Sequence, residues 1–202
     1  MRFGYINGMK ILSVDPSINS TGICVREGML KPRYYIIASS DKYKTKKDRA
    51  FLLTFHHDRL TILGYDKSKE SDVPAESLYN KKEHNKTDNI LSIRDRFIEV
   101  MEKERPDVVV IEGISYGSTG SSALADLAAL NYMFRTVISD FDTDFIIVSP
   151  TGNKKAAVGN GNATKEEMIF AWRQCDSLAD ELADTPIVTD DIADAYFLSC
   201  IN

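Results

Sequence analysis

KILSVDPSINSTGICV, residues 10–25, is the stretch on which the fold turns. A short apolar run ends in Asp15, a turn-rich PSINSTG follows, and a second β-type run covers Ile23 to Val25. Strand, tight turn, strand is the natural reading, with Asn19 and Gly22 supplying turn chemistry. A third β-type run lies near Tyr34 to Ala38. Further on, DVVVI (107–111) is a continuous β-branched run closed by Glu112, suited to a central strand buried on both faces. DFIIVS (144–149) is another such run, stopped by Pro150.

Helical patterns alternate with these strands. Residues 89–104 place Ile90, Ile93, Phe97 and Val100 on one face and stop at Pro106. Residues 121–139 are rich in Ala and Leu, with Ser121 or Ser122 as the cap. Thr164 and Glu167 have the spacing of a capping box. A last helix starts around Thr189 and runs to the end of the chain. A strand meander followed by alternating strands and helices predicts an α/β, three-layer domain, with a mixed central sheet and helices on both faces. The stretch from Ser39 to Asn89 fits less well. It reads as a hairpin over 51–63 (FLLTFHHDRLTIL) and a polar run over about 66–88. We read it as an insertion, at about 39–89, in a single domain covering 1–202, partly mobile or ordered by a partner.

At 202 residues, one core suffices without disulfide or metal staples. The 43% hydrophobic and 27% charged residues exclude wholesale disorder. No apolar stretch approaches the roughly 18 residues that span a bilayer, and MRFGYINGMK lacks the apolar run of a secretory signal. Cys24, Cys175 and Cys200 read as reduced core residues, which places the chain in the cytoplasm. A net charge of −5 argues against a protein that coats nucleic acid, but leaves room for a local basic groove.

Four carboxylates stand out by position. Asp15 and Glu112 end strands, and Asp191 and Asp194 share one face of the last helix. Gathered together they form an acidic cup that needs a cation, and all-oxygen ligands suit Mg²⁺ or Mn²⁺. On physics alone this reading is even with a plainer one, in which these are solvated strand ends and a helix start favoured by the dipole. NKKAAVGNGNATKEEM (153–168) sets Lys154, Lys155 and Lys165 around Gly159 and Gly161, a pattern that suits a phosphate or an ordinary glycine turn. It is neither a Walker loop nor a dinucleotide fingerprint. His56, His57 and His84 lack metal-ligand spacing and read as surface residues, and Trp172 as core. Lys42, Lys44, Lys46 and Lys47 form a basic run, read either as a solvated loop or as a contact for phosphates.

Taken together, four segments resemble the RuvC family of Holliday junction resolvases, in the RNase H-like superfamily. ILSVDPSINSTGICV (11–25) is similar to the family's opening apolar–Asp-Pro-x-x-x-x-Thr-Gly. PDVVVIEG (106–113) is similar to the strand that ends in its second acidic residue. Residues 153–168 resemble Val-Lys-x-x-x-x-Gly-x-Gly-x-Ala-x-Lys, and DDIADAYFLS (190–199) resembles Asp-x-x-Asp-Ala. All four come in family order, covering about half the chain directly. The resemblance implies that Asp15, Glu112, Asp191 and Asp194 are catalytic carboxylates holding two ions, Mg²⁺ or Mn²⁺. Lys165 then falls near the scissile phosphate, and Lys154 and Lys155 near DNA. Asp190 lies outside the pattern. Many members carry an aromatic wedge three residues after the glutamate. Here that position is Ser115, with Tyr116 next, which leaves junction selectivity open. The long insertion points to a divergent, phage-type branch.

The implied activity is a metal-dependent endonuclease resolving four-way junctions in recombination and repair. A C2 homodimer would make paired symmetric nicks and leave 5′-phosphates. The Ala-rich helix serves equally as a dimer face or a core helix. Competing readings are a broader flap and fork endonuclease, or a non-catalytic nucleic-acid-binding module on the same fold.

Overall fold

The computed structural model describes residues 8–43, 45–67, 78–114, 121–187 and 189–201. Six strands form one mixed sheet in the order β4-β3-β2-β1-β5-β6. Strands β1 (Lys10–Asp15), β2 (Ser20–Glu27) and β3 (Arg33–Ser39) make the antiparallel meander that the opening sequence predicts. Strands β5 (Val108–Glu112) and β6 (Asp144–Val148) extend the sheet in parallel beyond β1. The β1–β2 turn is closed by Thr21, whose hydroxyl donates to the Ser17 carbonyl (2.9 Å) and accepts from the Ser17 amide (3.2 Å). Gly22 is not a turn residue. It lies within β2, and its role is steric, as shown below.

The alternation of side chains along each strand builds the layers. Leu12, Val14, Ile23, Val25, Tyr35 and Ile37 point to one face. There they pack on α2 (Leu78–Glu104) through Ile93, Phe97, Val100 and Met101, and on α3 (Ser121–Asp140) through Leu130, Phe134, Val137 and Ile138. Cys24, Tyr34, Ile36 and Ala38 point to the other face. They meet α5 (Lys165–Arg173), α6 (Leu178–Glu181) and α7 (Asp190–Leu198), with Trp172 completely buried among them. This is the expected α/β three-layer arrangement. α3 serves as a core helix through its second half.

Four further expectations need correction. Residues 51–63 are not a hairpin. Lys46–Thr54 is a helix, α1, and Leu60–Tyr65 is a strand, β4, running parallel to β3. A parallel neighbour requires a crossover, and α1 provides it. The marker was in the sequence: Thr45 accepts from the Asp48 amide at 3.0 Å in a capping box. The polar run does not reach residue 88 as loop, because α2 begins at Leu78. A helix anchored by its amphipathic half can propagate through a stretch free of Pro and Gly even when that stretch is polar all round. Lys86 steadies this end, pairing with Glu83 (3.1 Å) and with Asp126 of α3 (3.0 Å). Finally, Cys175 is exposed and Cys200 half-buried, so only Cys24 is a core cysteine. β6 also differs from a doubly buried strand: it is an edge strand, with Ile147 46% exposed.

Candidate active site

The sheet register alone brings two carboxylates together. Ser13 and Val110 both face the α7 side, Ser13 donating to the Ala195 carbonyl at 2.6 Å and Val110 packing on Leu198. Two residues on, Asp15 and Glu112 therefore face the same way, at the ends of adjacent parallel strands. The two carboxyls interact closely, and Glu112 adds to the rise in the Asp15 pKa.

Helix α7 closes over them. Gly22 pairs with Asp15 in the β1–β2 register. A Cβ at Gly22 would fall 2.1 Å from the Asp191 carbonyl oxygen, so only glycine lets the first turn of α7 settle there. Asp191 is thereby buried, 8% exposed, and Asp194 lies one turn further along the same face. The helix lacks a side-chain cap at Thr189, and Asp190 and Asp191 occupy its acidic first turn.

The electrostatics are those of crowded, dehydrated acids. Burial raises Asp15 well above the usual carboxylate range, with Glu112, Asp194 and Asp191 adding repulsion. Burial, followed by repulsion from Glu112, pushes Asp194 up to about 7. Glu112 and Asp191 are also raised by burial. Lys154, on α4 (Pro150–Val158), offsets part of this at Glu112 and Asp194.

Other basic residues are engaged locally. Lys42, from the 3₁₀ turn after β3, pairs with Asp191 at 3.1 Å. Of the basic run read from sequence, it is the member that reaches the acids; Lys44 and the side chains of Lys46 and Lys47 lie outside the described residues. Lys165 sits at the rim with its side chain 70% exposed, paired to Asp190, the acidic residue that the sequence pattern had left out. Lys155 is exposed. Gly159 does not open a phosphate loop: it caps α4 in the left-handed conformation, φ 79°, its N–H donating to the Lys155 carbonyl at 2.9 Å. Ser115 and Tyr116 lie outside the described residues.

Asn153 is the residue that sequence reasoning missed. It is completely buried in the first turn of α4, where its Nδ2 donates to Glu112 Oε1 (3.3 Å) and to the Asp194 carbonyl (3.1 Å). Asn131 of α3 donates to the Glu112 carbonyl at 2.7 Å. A lone Asn in a Lys-rich segment carries no sequence signal that separates it from a surface residue.

Among the described residues, no three Asp, Glu, His or Cys side chains stand grouped as a finished metal centre. Lys42 holds Asp191, and Asn153 holds Glu112. The donor set itself fits a hard divalent cation. It is all oxygen, Glu112, Asp194 and Asp191 each raise Asp15, and Asp194 Oδ1 is buried without a hydrogen-bond partner among the described residues. Asp15, Glu112, Asp191 and Asp194 are the residues that would hold it.

No protein-family profile matches the chain, and no curated protein matches it by sequence. Solved structures do. Thermus thermophilus RuvC bound to a Holliday junction substrate superposes with TM-score 0.57 at 17% identity, over 95% of this chain and 90% of that one. T. thermophilus RuvC in a second structure gives 0.51 at 18%, over 95% and 91%. The yeast mitochondrial Holliday junction resolvase Ydc2 gives 0.53 at 12%, over 98% and 78%. What these proteins share with this chain is architecture, and the chain carries the RuvC-like, RNase H-like three-layer fold.

Proposed function

We propose that this chain is a divalent-metal-dependent endonuclease of branched DNA, acting foremost on four-way junctions. The observation that carries the reading is the register that sets Asp15 and Glu112 at the ends of adjacent parallel strands on one face, with Asp191 buried and Asp194 half-buried on the helix that closes over them. That juxtaposition disfavours the plain alternative of solvated strand ends, because acids crowded together out of water are unfavourable unless a cation neutralises them. The RuvC-like fold, and the Holliday junction bound to one structural neighbour, support branched DNA as the substrate class.

Two ions, Mg²⁺ or Mn²⁺, would supply an activated water and charge relief at the phosphate and the leaving oxygen. The chain's own residues do the rest. Asp15, between Glu112 and the α7 acids, is the central ligand. Asn153 orients Glu112, and Gly22 admits the helix that delivers Asp191. Lys154 and the rim residue Lys165 hold positive charge where a phosphodiester would approach, and Lys165 must exchange Asp190 for the phosphate. A homodimer would present two such sites to a two-fold junction and make paired nicks with 5′-phosphate ends. The overall charge of −5 confines DNA binding to this focused surface, so affinity for plain duplex is weak and steeply salt-dependent. Among the described residues, no helix is long and apolar enough to cross a membrane.

The test is cleavage of end-labelled four-way junction, flap and linear duplex with Mg²⁺ or Mn²⁺, alongside Asp15→Asn. The expected result is symmetric nicking of the junction, reduced about 10³-fold or more in the variant, since metal chemistry contributes several kcal/mol and each 1.36 kcal/mol is tenfold. Equal cutting of flaps and forks would move the substrate to branched DNA in general. No cleavage of any substrate by the folded chain would leave a nucleic-acid-binding module.

A further inference from the structure

Asn153 has a second unusual feature. Its side chain is 0% exposed, and its Oδ1 is buried with no hydrogen-bond partner among the described residues. The amide orientation is fixed, because both neighbours of Nδ2 are acceptors: the Glu112 carboxylate and the Asp194 carbonyl. Exchanging nitrogen and oxygen would set oxygen against oxygen twice. The orphan is therefore the oxygen.

A second orphaned acceptor, Asp194 Oδ1, belongs to the residue whose carbonyl Asn153 already holds. A buried acceptor without a donor costs folding free energy, and here two of them fall on residues joined by a hydrogen bond. Both requirements are met at once by a cation with its water shell, since hard divalent ions take neutral amide oxygens as well as carboxylates.

We infer that Asn153 is a positioning residue of the carboxylate site and supplies a neutral oxygen toward the divalent cation held there, directly or through one water. This rests on the reading of the four carboxylates as metal ligands. It adds a member that the acidic pattern does not contain. Nδ2 fixes the Glu112 carboxylate, and Oδ1 of the same amide would be the oxygen left to meet the ion. Asn153 also ties α4 to α7, so loading the site stiffens the contact between the two helices.

The test is Mn²⁺ binding to the full chain, followed by electron paramagnetic resonance of the free ion, with thermal unfolding in chelator recorded in parallel. Asn153→Val removes both polar atoms, and its expected result is Mn²⁺ affinity about 10–100-fold weaker, the usual cost of losing a supporting residue at a metal site. Its unfolding midpoint in chelator falls only modestly, because the lost Nδ2 donations are partly offset by removal of the orphaned Oδ1. Asn153→Ala, which also removes both polar atoms, loses Mn²⁺ affinity to the same degree. Unchanged affinity in Asn153→Val, while Asp15→Asn abolishes binding, would overturn the role of Asn153 and leave the site standing. Should Asn153→Val not fold, unchanged affinity in Asn153→Ala overturns it equally. An unmodified chain that binds no Mn²⁺ would overturn the metal site itself, and this inference with it.

Discussion

Two buried carboxylate clusters lie at opposite ends of the same sheet, and their chemistry is opposite. At the start of β1 and β5, Glu104 is 4% exposed in its side chain, yet is fully served by its neighbours. Arg33 grips it through Nη2 (2.6 Å) and Nε (3.3 Å), the Tyr35 hydroxyl donates to it, and Lys10 lies 3.9 Å away. Burial would raise its pKa, but the hydrogen bonds from Arg33 and Tyr35 outweigh it and hold the carboxyl below its ordinary range. At the far ends of these strands, Asp15, Glu112, Asp191 and Asp194 are all raised by the same burial, without comparable partners. The first cluster is a finished structural joint. The second is a set of crowded acids, which we propose to be a cation site.

The contrast is sharpest in what each end loses on substitution. Arg33→Ala leaves Glu104 buried and underpaired, and should cost about 3 kcal/mol in denaturant unfolding at neutral pH. A loss under about 1 kcal/mol would break the comparison. Gly22→Ala should cost about 1–3 kcal/mol, as for overpacking, because α7 must lift from β2; cleavage should fall with it as Asp191 moves. Asp194→Asn should act in the other direction and stabilise the metal-free chain by about 1 kcal/mol at pH 8, since it removes a buried charge. Smallest is Lys42→Gln, at about 1 kcal/mol or less for a part-buried pair.

The pH dependences run in opposite senses. Glu104, lowered in the folded chain, contributes stability above the ordinary glutamate range that is lost as pH falls through its folded pKa. Asp194, raised to about 7, contributes stability that is complete below its ordinary value of 3.8 and is lost as pH rises through about 7. Unfolding of the metal-free chain against pH should therefore show stability declining between about pH 4 and 8 on account of the site. Asp194→Asn should flatten that limb and leave the acid limb from Glu104 in place.

How much of this was legible beforehand follows from the range of each interaction. The β1–β2–β3 meander, the central β5 run and the Thr164–Glu167 capping box are local signals, and each stands in the sequence as read. Strand ends and helix spacing left the four carboxylates even with solvated ends, and the resemblance to the RuvC family is what singled them out. The crossover helix α1 was lost because its apolar FLLTF reads equally as a strand, and its Thr45–Asp48 cap was passed over. Lys42, Asn153 and Asp190 were beyond local reading. Each acts on a partner 25 to 149 positions away, and only the folded sheet brings them together.

The most direct test of the account is thermal unfolding of the chain at pH 8, with and without Mn²⁺, beside Asp15→Asn. At a hundredfold excess over Kd a bound ion adds about 2.7 kcal/mol, and at roughly 2–4 °C per kcal/mol for a chain of this size the midpoint should rise by about 5–10 °C. The rise should vanish in Asp15→Asn. A midpoint that ignores Mn²⁺, or rises equally in the variant, would contradict the claim that these four acids are a cation site.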